Sequence, residues 1–448
     1  MFPSRPRLLA IASLTLAACG EGRDPASAPR REAGDRPDVV LIVVDTLRRD
    51  RLSCYGHERA TTPNLDRFAA RAVRYDNAYS QAPWTTPSIG SMLTSQYPSA
   101  LGIRGERSAL AGDVVTLAEA LDAAGYVTGA VVSHSFCSAE WGFDQGFDYF
   151  DDSHVLGHEA VTSPGVIDRA LSFVEEFDGG AEPFFLWVHL FDPHCAYVEH
   201  AEHDFGGSGD YRGPIRSGQL FRRLLKLRPE LGPEDVSELL RLYDSEIAFT
   251  DHHLGRLLEA LDEDVLVVFT TDHGEEFLDH GRLGHAKTLF DEVLRAPLLI
   301  RYPGHPGGVV REPVALLDLY PTILDVAGLP IPSDLEGVSL APGRALDPER
   351  VVFAETERGG GQRAAIAPGY KLVANRRSGE MSLFETASDP SEREALEADG
   401  HPVGERLAAA LERFACEVRA ERVAPQVEVD EAEAARLNDM GYGGGDDE

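Results

Sequence analysis

The chain has 448 residues, with 75 Asp and Glu against 42 Lys and Arg, so its formal net charge is −33. This balance argues against a nucleic-acid-binding surface and against docking on anionic lipids, because both depend on clustered Lys and Arg side chains. Hydrophobic residues make up 43% and charged residues 26% of the sequence, as in an average folded globular protein, which argues against wholesale disorder.

The N-terminus carries the pattern of a secretory signal, in which Arg5 and Arg7 precede an apolar run over residues 8–18. As a helix this run would rise about 16 Å, far short of a bilayer core of about 30 Å. It ends at Cys19 in a sequence similar to the bacterial lipobox, whose cysteine is lipid-modified and becomes the first mature residue. We therefore expect a signal peptide over 1–19 and an exported protein, periplasmic or at the cell surface, anchored to a bacterial membrane through a lipid on Cys19. An ordinary cleaved signal is the alternative.

Short apolar runs that end on polar side chains organise the rest of the chain. These runs and the polar residues after them are 38–44 with Asp45, 127–132 with Ser133 and His134, 184–188 with His189, Asp192 and His194, and 265–269 with Asp272 and His273. The runs are continuous rather than alternating, as in strands buried on both faces of a parallel sheet. Helical patterns lie between them, which predicts a doubly wound α/β sheet with its ligand crevice beyond the carboxyl ends of the strands.

We divide the chain into a tether over 20–37, one large domain over 38–345, a smaller α+β subdomain over 346–425 and a tail over 426–448. The tether is polar, Pro-rich and without a hydrophobic pattern. The subdomain is predicted from short strand patterns followed by a helical pattern near its end. The Gly-rich end of the chain predicts a frayed tail.

Two strand ends carry candidate metal ligands, Asp45 at one and the pair Asp272 and His273 at the other. Hard carboxylates with an imidazole form a plausible site for a divalent metal, although Asp at a strand end is more often a helix cap. Between them in sequence, Thr85 lies where a loop enters a helix. Its hydroxyl either caps the helix or is a nucleophile at a helix N-terminus that favours an anion, and the local pattern alone favours the cap.

The order of short motifs along the chain instead favours the interpretation of Thr85 as a nucleophile over that of a helix cap. These motifs cover residues 43–48, 55–56, 62–66, 84–88, 192–194, 271–275, 284–287, 295–298, 370–372, 383–384 and 389–390. In this order the chain resembles the sulfatases of the alkaline-phosphatase superfamily over about residues 37–400. The resemblance implies a three-layer αβα sandwich with a mostly parallel central sheet, a divalent metal at the strand ends, and hydrolysis or transfer of a sulfuryl or phosphoryl group.

The resemblance also implies roles for single residues. Asp45, Asp272 and His273 match metal ligands, and Thr85 matches a metal-bound nucleophile. Anionic-group binding is implied for two residues, His194 and Lys287, and His194 is also suited to protonate the leaving oxygen. His285 is either a residue that supports the site and its substrate or a second metal ligand. Three histidines match no site position and are interpreted as surface or packing residues: His134, His252 and His253.

Three departures from the family pattern bear on the chemistry. Typical sulfatases have Cys or Ser, then x-Pro-Ser-Arg, and oxidise the first residue to formylglycine, whereas this chain has Thr85 and Ile89. Oxidation of a secondary alcohol yields a ketone, so no formylglycine is expected at Thr85. Thr46 stands where typical sulfatases have a second Asp, and Ser133 lies near the position where they have a Lys. The retained set resembles threonine-nucleophile branches that act on phosphodiesters and phosphonate esters, so calcium, manganese and zinc all remain possible metals.

We therefore expect a sulfatase-like, metal-dependent hydrolase of sulfate or phosphate esters. Its substrate would be a sulfated or phosphorylated sugar, lipid or aryl compound, and not a nucleic acid. The first alternative is a phosphodiesterase or phospho-transferase with a threonine nucleophile, because a phospho-threonine is resolved by water or an alcohol more readily than a threonine sulfate. The others are a sulfatase with a water nucleophile and a catalytically silent surface lipoprotein that binds glycans.

Overall fold

A computed structural model describes residues 36–155, 161–206, 211–418, 422–440 and 442. The expected signal peptide over 1–19 and almost all of the expected tether lie outside these residues. Among the helices that are described, none is both long and apolar enough to cross a membrane.

Strands and helices alternate through the first part of the chain. The described strands are β1 (Val39–Val44), β2 (Val73–Tyr79), β3 (Val127–Val131), β4 (Tyr149–Asp151), β5 (Phe184–Leu190), β6 (Leu266–Thr271), β7 (Glu276–Phe277), β8 (Leu283–Gly284), β9 (Arg295–Arg301), β10 (Gly308–Val310), β11 (Val314–Ala315), β12 (Val352–Thr356), β13 (Gln362–Ala367), β14 (Tyr370–Asn375) and β15 (Met381–Phe384). The described α-helices are α1 (Pro63–Ala69), α2 (Thr85–Thr94), α3 (Pro98–Leu101), α4 (Leu117–Ala123), α5 (Ser163–Phe177), α6 (Phe221–Leu227), α7 (Pro233–Ala260), α8 (Asp291–Leu294), α9 (Leu319–Val326), α10 (Pro402–Glu417) and α11 (Glu431–Asp439).

The large central sheet has the strand order β10-β2-β9-β6-β1-β5-β3-β4, with β11 also paired to β2. β1 is parallel to both β5 and β6, while β9 is antiparallel to its neighbours β6 and β2. The expected mostly parallel α/β sheet is therefore confirmed. Its centre is formed by the strands whose apolar runs end on polar residues, so these ends share one edge of the sheet.

Side chains of β1 alternate between two hydrophobic cores. Val39, Leu41 and Val43 face a core that contains residues of α2, α4 and α9. The even-numbered residues of β1 face a second core, which contains residues of α1, α5 and α7. Because both faces of the strand are covered, its sequence is a continuous apolar run, and the sheet is the middle of three layers.

The smaller sheet is antiparallel, in the order β12-β13-β14-β15. One face packs on α10 through Ala365, Leu372, Leu407 and Leu411. The other face shares a hydrophobic cluster with residues that follow β8 and precede α9 in the larger unit. This arrangement confirms the α+β character expected near the C-terminus, and it fixes the β12–β13 turn against the central sheet.

The last part of the chain returns to the large sheet. In the range expected as a tail, the described residues 426–440 and 442 include the helix α11 and a buried Tyr442. Ala109 N–H donates to Pro425 O at 2.8 Å, and Val427 N–H donates to Arg107 O at 2.7 Å. Over 426–440 the structure thus has an ordered helix held by backbone bonds and apolar contacts. The Gly-rich end that is expected to fray lies outside the described residues, except for Tyr442.

A buried lysine links the two sheets. Lys371 on β14 is fully buried, with its Nζ 2.7 Å from Asp291 on α8 and 2.5 Å from Glu392. Burial by itself lowers the pKa of Lys371, but the charges of these two carboxylates outweigh burial and raise it above the usual value. Both carboxylates are buried as well, so the lysine charge is needed to balance them.

We predict that Lys371→Ala destabilises the protein by about 3–5 kcal/mol, because two buried carboxylates lose their counter-charge. Urea unfolding followed by fluorescence measures this loss. Lys226→Ala on α6 is the control, since Lys226 is exposed and its removal is expected to change stability by less than about 0.5 kcal/mol. An equal, small effect of both substitutions would contradict a role for Lys371 in joining the sheets.

Candidate active site

The register of the central strands brings distant polar residues together. Val44 of β1 pairs with Leu190 of β5 on one side and with Thr271 of β6 on the other. Asp45 is the residue after Val44 and Asp272 is the residue after Thr271. The two aspartates therefore lie side by side at the carboxyl edge of the sheet. His189 occupies the end of β5, opposite Val43. Each of these side chains is fully buried, at 0% exposure.

Asp45, His189 and Asp272 can hold a metal ion, since one donor atom from each lies within 4.8 Å of the others. His273 belongs to the same cluster, with Nε2 3.3 Å from Asp272 Oδ2 and 3.7 Å from Asp45 Oδ1. Among the described residues, neither oxygen of Asp45, nor Asp272 Oδ2, nor either ring nitrogen of His189 has a hydrogen-bond partner. Buried polar atoms without partners are costly, and one divalent cation would satisfy the carboxylate oxygens together with one ring nitrogen of His189.

The pKa shifts in the cluster also favour a bound cation. Burial, with added repulsion from Asp272 and Glu275, raises the pKa of Asp45 well above its usual value. Burial lowers the pKa of His189 to about 4, so its imidazole is neutral at pH 7 and suited to bind a metal. The chain supplies crowded negative charge and neutral imidazole here, which fits a positively charged ligand.

Thr85 is the first residue of α2, and its side chain does not cap the helix. Trp84 occupies the cap position without a side-chain hydrogen bond. The Thr85 hydroxyl lies 3.4 Å from His273 Nε2 instead. Ser88, one turn further on, donates from Oγ to Asp272 O at 2.6 Å and so ties the start of the helix to the metal cluster. The side chain expected as a nucleophile is thus brought to the candidate metal ligands.

A group of aromatic rings lies beside the cluster. The His194 ring stacks on Phe191 at 4.7 Å and lies 5.7 Å from the His134 ring and 5.3 Å from the His285 ring. His194 Nδ1 is 3.0 Å from Cys195 O, a contact that orients the imidazole. His285 in turn lies 4.5 Å from the His273 ring, so both predicted histidines are in the site.

His285 is held at both ring nitrogens. Its Nδ1 lies 2.9 Å from Glu275 Oε1, and its Nε2 lies 2.5 Å from Tyr442 Oη. Burial, together with repulsion from His273, lowers the pKa of His285 well below its usual value. Burial raises the pKa of Glu275 to about 8. With both nitrogens engaged, this arrangement favours a supporting role for His285 over the alternative of a second metal ligand.

Lys287 follows His285 by two residues, and its side chain is half-buried. Its backbone carbonyl packs on Gly359 in the β12–β13 turn, where an added Cβ would lie 2.2 Å from the Lys287 oxygen. Ala286 N–H donates to Pro83 O at 2.8 Å, so the lysine loop adjoins the loop that leads into Thr85. The role of Lys287 as an anion-binding residue stays a prediction.

Three residues of the site were missed by sequence reasoning. His189 was seen at a strand end but not counted as a ligand. His134 is not a surface residue: it is buried and packs on Phe136 and Phe191, and its Nε2 lies 3.8 Å from Asp45 Oδ2, beside the candidate metal ligands. Both follow apolar runs, the same signal that selected Asp45. Tyr442 comes from the expected tail and carries no comparable local signal. His252 and His253 lie elsewhere, on α7, where the His253 ring is 4.6 Å from the Phe249 ring and 5.1 Å from the His252 ring.

Comparison with known proteins gives a consistent result. The Sulfatase family model matches residues 37–329. The chain is 25% identical over 425 residues to an N-acetylglucosamine-6-O-sulfatase of Bacteroides thetaiotaomicron, covering 75% of this chain and 74% of that protein. It is 29% identical over 380 residues to human arylsulfatase A, covering 71% and 70%. In fold it is similar to a phosphonate monoester hydrolase from Silicibacter pomeroyi, with a TM-score of 0.69, 21% identity and coverage of 86% and 96%.

We predict that the protein binds a divalent metal through Asp45, His189 and Asp272. Removal of metal with a chelator is expected to lower the melting temperature, and saturating metal is expected to restore about 3 kcal/mol of stability, the value for a ligand at a hundred times its dissociation constant. Asp45→Asn should lose this response. Without metal the variant should be at least as stable as the unchanged protein, because a neutral amide removes a buried repulsive charge.

Elemental analysis and thermal unfolding of Asp45→Asn, His189→Ala and His253→Ala test this prediction. His253 lies on α7 away from the cluster, so its variant is expected to keep both metal and the metal-dependent shift. Stoichiometric metal in the first two variants would show that the site lies elsewhere.

Proposed function

Because this chain belongs to the sulfatase family, we propose that it hydrolyses sulfate or phosphate esters by attack of the Thr85 hydroxyl in a metal-dependent reaction. Proteins of this family are sulfuric-ester hydrolases and are metal-dependent in general. The observation that carries the proposal is the position of Thr85 Oγ1, which lies 3.4 Å from His273 Nε2 at the N-terminus of a buried helix. This distance supports the proposal, because His273 is one of the candidate metal ligands.

The start of α2 suits the reaction. The first backbone N–H groups of a helix lack partners inside it, and the helix dipole is positive there, so negative charge on Thr85 and on the ester is stabilised. A divalent ion held by Asp45, His189 and Asp272 would favour the deprotonated hydroxyl and take up charge on the ester oxygens. The mixture of carboxylate and imidazole donors favours zinc or manganese over calcium, which prefers oxygen ligands.

His194 is positioned to act on the leaving group. Thr85 Oγ1, which has lost its proton to water, bonds to the central sulfur or phosphorus as the bond to the leaving oxygen breaks, and that oxygen needs a proton. The His194 ring, oriented by its contact with Cys195 O, can supply this proton. Lys287 is proposed to bind the anionic oxygens, as the family resemblance implies.

Phosphoester chemistry is the second candidate function, and the absence of a formylglycine precursor at position 85 favours it. A phospho-threonine can be attacked by water or by an acceptor alcohol, which gives a phosphodiesterase or a phospho-transferase. A threonine sulfate lacks the elimination route that the aldehyde provides. A sulfated or phosphorylated sugar is the proposed natural substrate, since one relative acts as an N-acetylglucosamine-6-O-sulfatase.

We predict that Thr85→Ala lowers kcat by about a thousandfold or more while leaving metal content unchanged, because only the nucleophile is removed. Thr86→Ala is the matched control. Thr86 is the next residue of the same buried helix, and its hydroxyl donates to Phe136 O at 3.3 Å, so its loss should affect activity much less.

The assays use p-nitrophenyl sulfate, bis-p-nitrophenyl phosphate and p-nitrophenyl phenylphosphonate in parallel, with mass spectrometry of the peptide that contains Thr85. A covalent sulfo or phospho group on Thr85 is the expected result. Sulfate release that survives Thr85→Ala would instead favour a water nucleophile. No turnover and no bound metal would favour a glycan-binding lipoprotein without catalysis.

The N-terminal sequence supports a further proposal on location, that the protein is exported and anchored through a lipid on Cys19. The support is the apolar run over 8–18 with its lipobox-like end, which lies outside the described residues. We predict that Cys19→Ala moves the protein from the membrane fraction to the soluble fraction of a bacterial host, measured by immunoblotting. An unchanged distribution would exclude this anchor.

A further inference from the structure

Arg358 is a buried cation at the active site that the family motifs do not include. It lies in the turn between β12 and β13, and only 8% of its surface is exposed. Its backbone N–H donates to Thr356 Oγ1 at 3.2 Å, and Thr356 Oγ1 donates to Ala286 O at 2.9 Å. These bonds, with the close approach of Gly359 to Lys287, fix the turn against the loop that carries His285.

The guanidinium of Arg358 faces two rings of the site. Its Cζ lies 5.9 Å from the centre of the Trp84 ring and 5.9 Å from that of Tyr442. Trp84 directly precedes Thr85, and Tyr442 is hydrogen-bonded to His285. Arg358 therefore lies beside the reaction site, on the side of His285 and Tyr442.

One edge of the guanidinium is paired and another is not. Nη2 lies 2.7 Å from Glu106 Oε1, which holds the group in place. Nη1 is buried and has no hydrogen-bond acceptor among the described residues. A charged N–H group left without an acceptor in a buried position is costly, and it marks a place where an anion would be received in a charge-assisted hydrogen bond.

The position of this cation separates it from the metal cluster. Among the described residues, the guanidinium contacts Glu106 and the rings of Trp84 and Tyr442, and it forms no salt bridge with Asp45 or Asp272. A substrate whose ester lies at Thr85 would thus present a different group to Arg358. The chain has a net charge of −33, so most of its surface repels anions. A guanidinium that is fixed in place and has an unpaired N–H group is therefore suited to select an anionic group.

We propose that Arg358 forms a second anion subsite, which binds a sulfate, carboxylate or phosphate group of the substrate other than the ester that is cleaved. This subsite rests on the proposed ester hydrolysis at Thr85, and it defines the substrate class as esters that carry a second anionic group. Glu106 is a positioning residue that orients the guanidinium. Trp84 and Tyr442 provide the ring faces that the guanidinium contacts.

Binding of two probes without a cleavable ester tests the subsite independently of turnover. Benzenesulfonate carries one anionic group and benzene-1,3-disulfonate carries two, and calorimetric titration of the metal-loaded full chain measures both affinities. Arg358→Gln is expected to weaken disulfonate binding about tenfold and to change benzenesulfonate binding less than twofold. Arg358→Lys keeps the charge without the planar fork and is expected to give an intermediate loss.

Arg363→Gln is the matched control. Arg363 lies on β13, with Nε 3.1 Å from Glu355 Oε2 and its guanidinium 5.7 Å from the Phe414 ring, so it has the same kinds of contacts away from the site. It is expected to change neither affinity. If Arg358→Gln lowers the melting temperature strongly, the two probe affinities are compared for Arg358→Lys instead.

Two results would overturn the subsite. An equal loss of both probes would show that Arg358 binds the cleaved group or only supports the fold, and no loss of either would show that it binds no anion. Failure of the proposed function is a separate result, namely no turnover of any aryl ester. Where turnover is seen, Arg358→Gln should lower kcat/KM about tenfold for an aryl ester with a second anionic group, and less than threefold for p-nitrophenyl sulfate.

Discussion

Two buried carboxylates face each other at the carboxyl edge of the central sheet, and the rest of the site is arranged around them. The parallel register of β1 and β6 places Asp45 and Asp272 at one level, where neither can move into water. Backbone N–H groups hold one oxygen of Asp272, at 2.8 Å from His273 N and 3.3 Å from Thr46 N. The other oxygens point to a shared space and lack partners among the described residues. Such a pair is stable only when protonated or when a cation balances it.

Different parts of the chain supply the candidate metal ligands and the groups around them. The central sheet and α2 provide the candidate metal ligands and the Thr85 hydroxyl, all on elements that are rigid because both faces of the sheet are packed. The groups that surround these come from late in the sequence, with Arg358 in the turn of the small sheet and Tyr442 after α11. With the proposed anion subsite at Arg358, substrate selectivity would change through the C-terminal parts while the reaction centre stays the same.

The acidic composition is consistent with this division. Most of the negative charge lies outside the site, where it keeps the surface hydrated. Two buried cations of the described chain have a structural reason for their places. Lys371 balances two buried carboxylates between the sheets, and Arg358 pairs with Glu106 on one edge only. In the proposed reaction, local positive charge and a metal would bind the anionic substrate in spite of the overall charge of the protein.

Much of the fold followed from local pattern. Continuous apolar runs predicted the buried parallel strands, and helical periodicity predicted α7 and α9, because each pattern reflects which faces of an element are covered. Because Asp45 and Asp272 follow such runs, they were predicted to lie together at the carboxyl edge of the sheet. The same rule covered His189 and His134, but they were set aside because the family motifs do not include them. Tyr442 had no local signal, since its contact with His285 spans 157 residues.

The amino-acid sequence by itself determined the family, the sheet and the main candidates for catalysis, because ordered motifs and hydrophobic periodicity depend on neighbouring residues. Only the tertiary structure decided which donors converge on the two carboxylates, and that Tyr442 and Arg358 belong to the site. The physical reason is that convergence depends on strand register and on packing between segments far apart in the chain. Strand register and long-range packing cannot be predicted from the residues next to Tyr442 or Arg358.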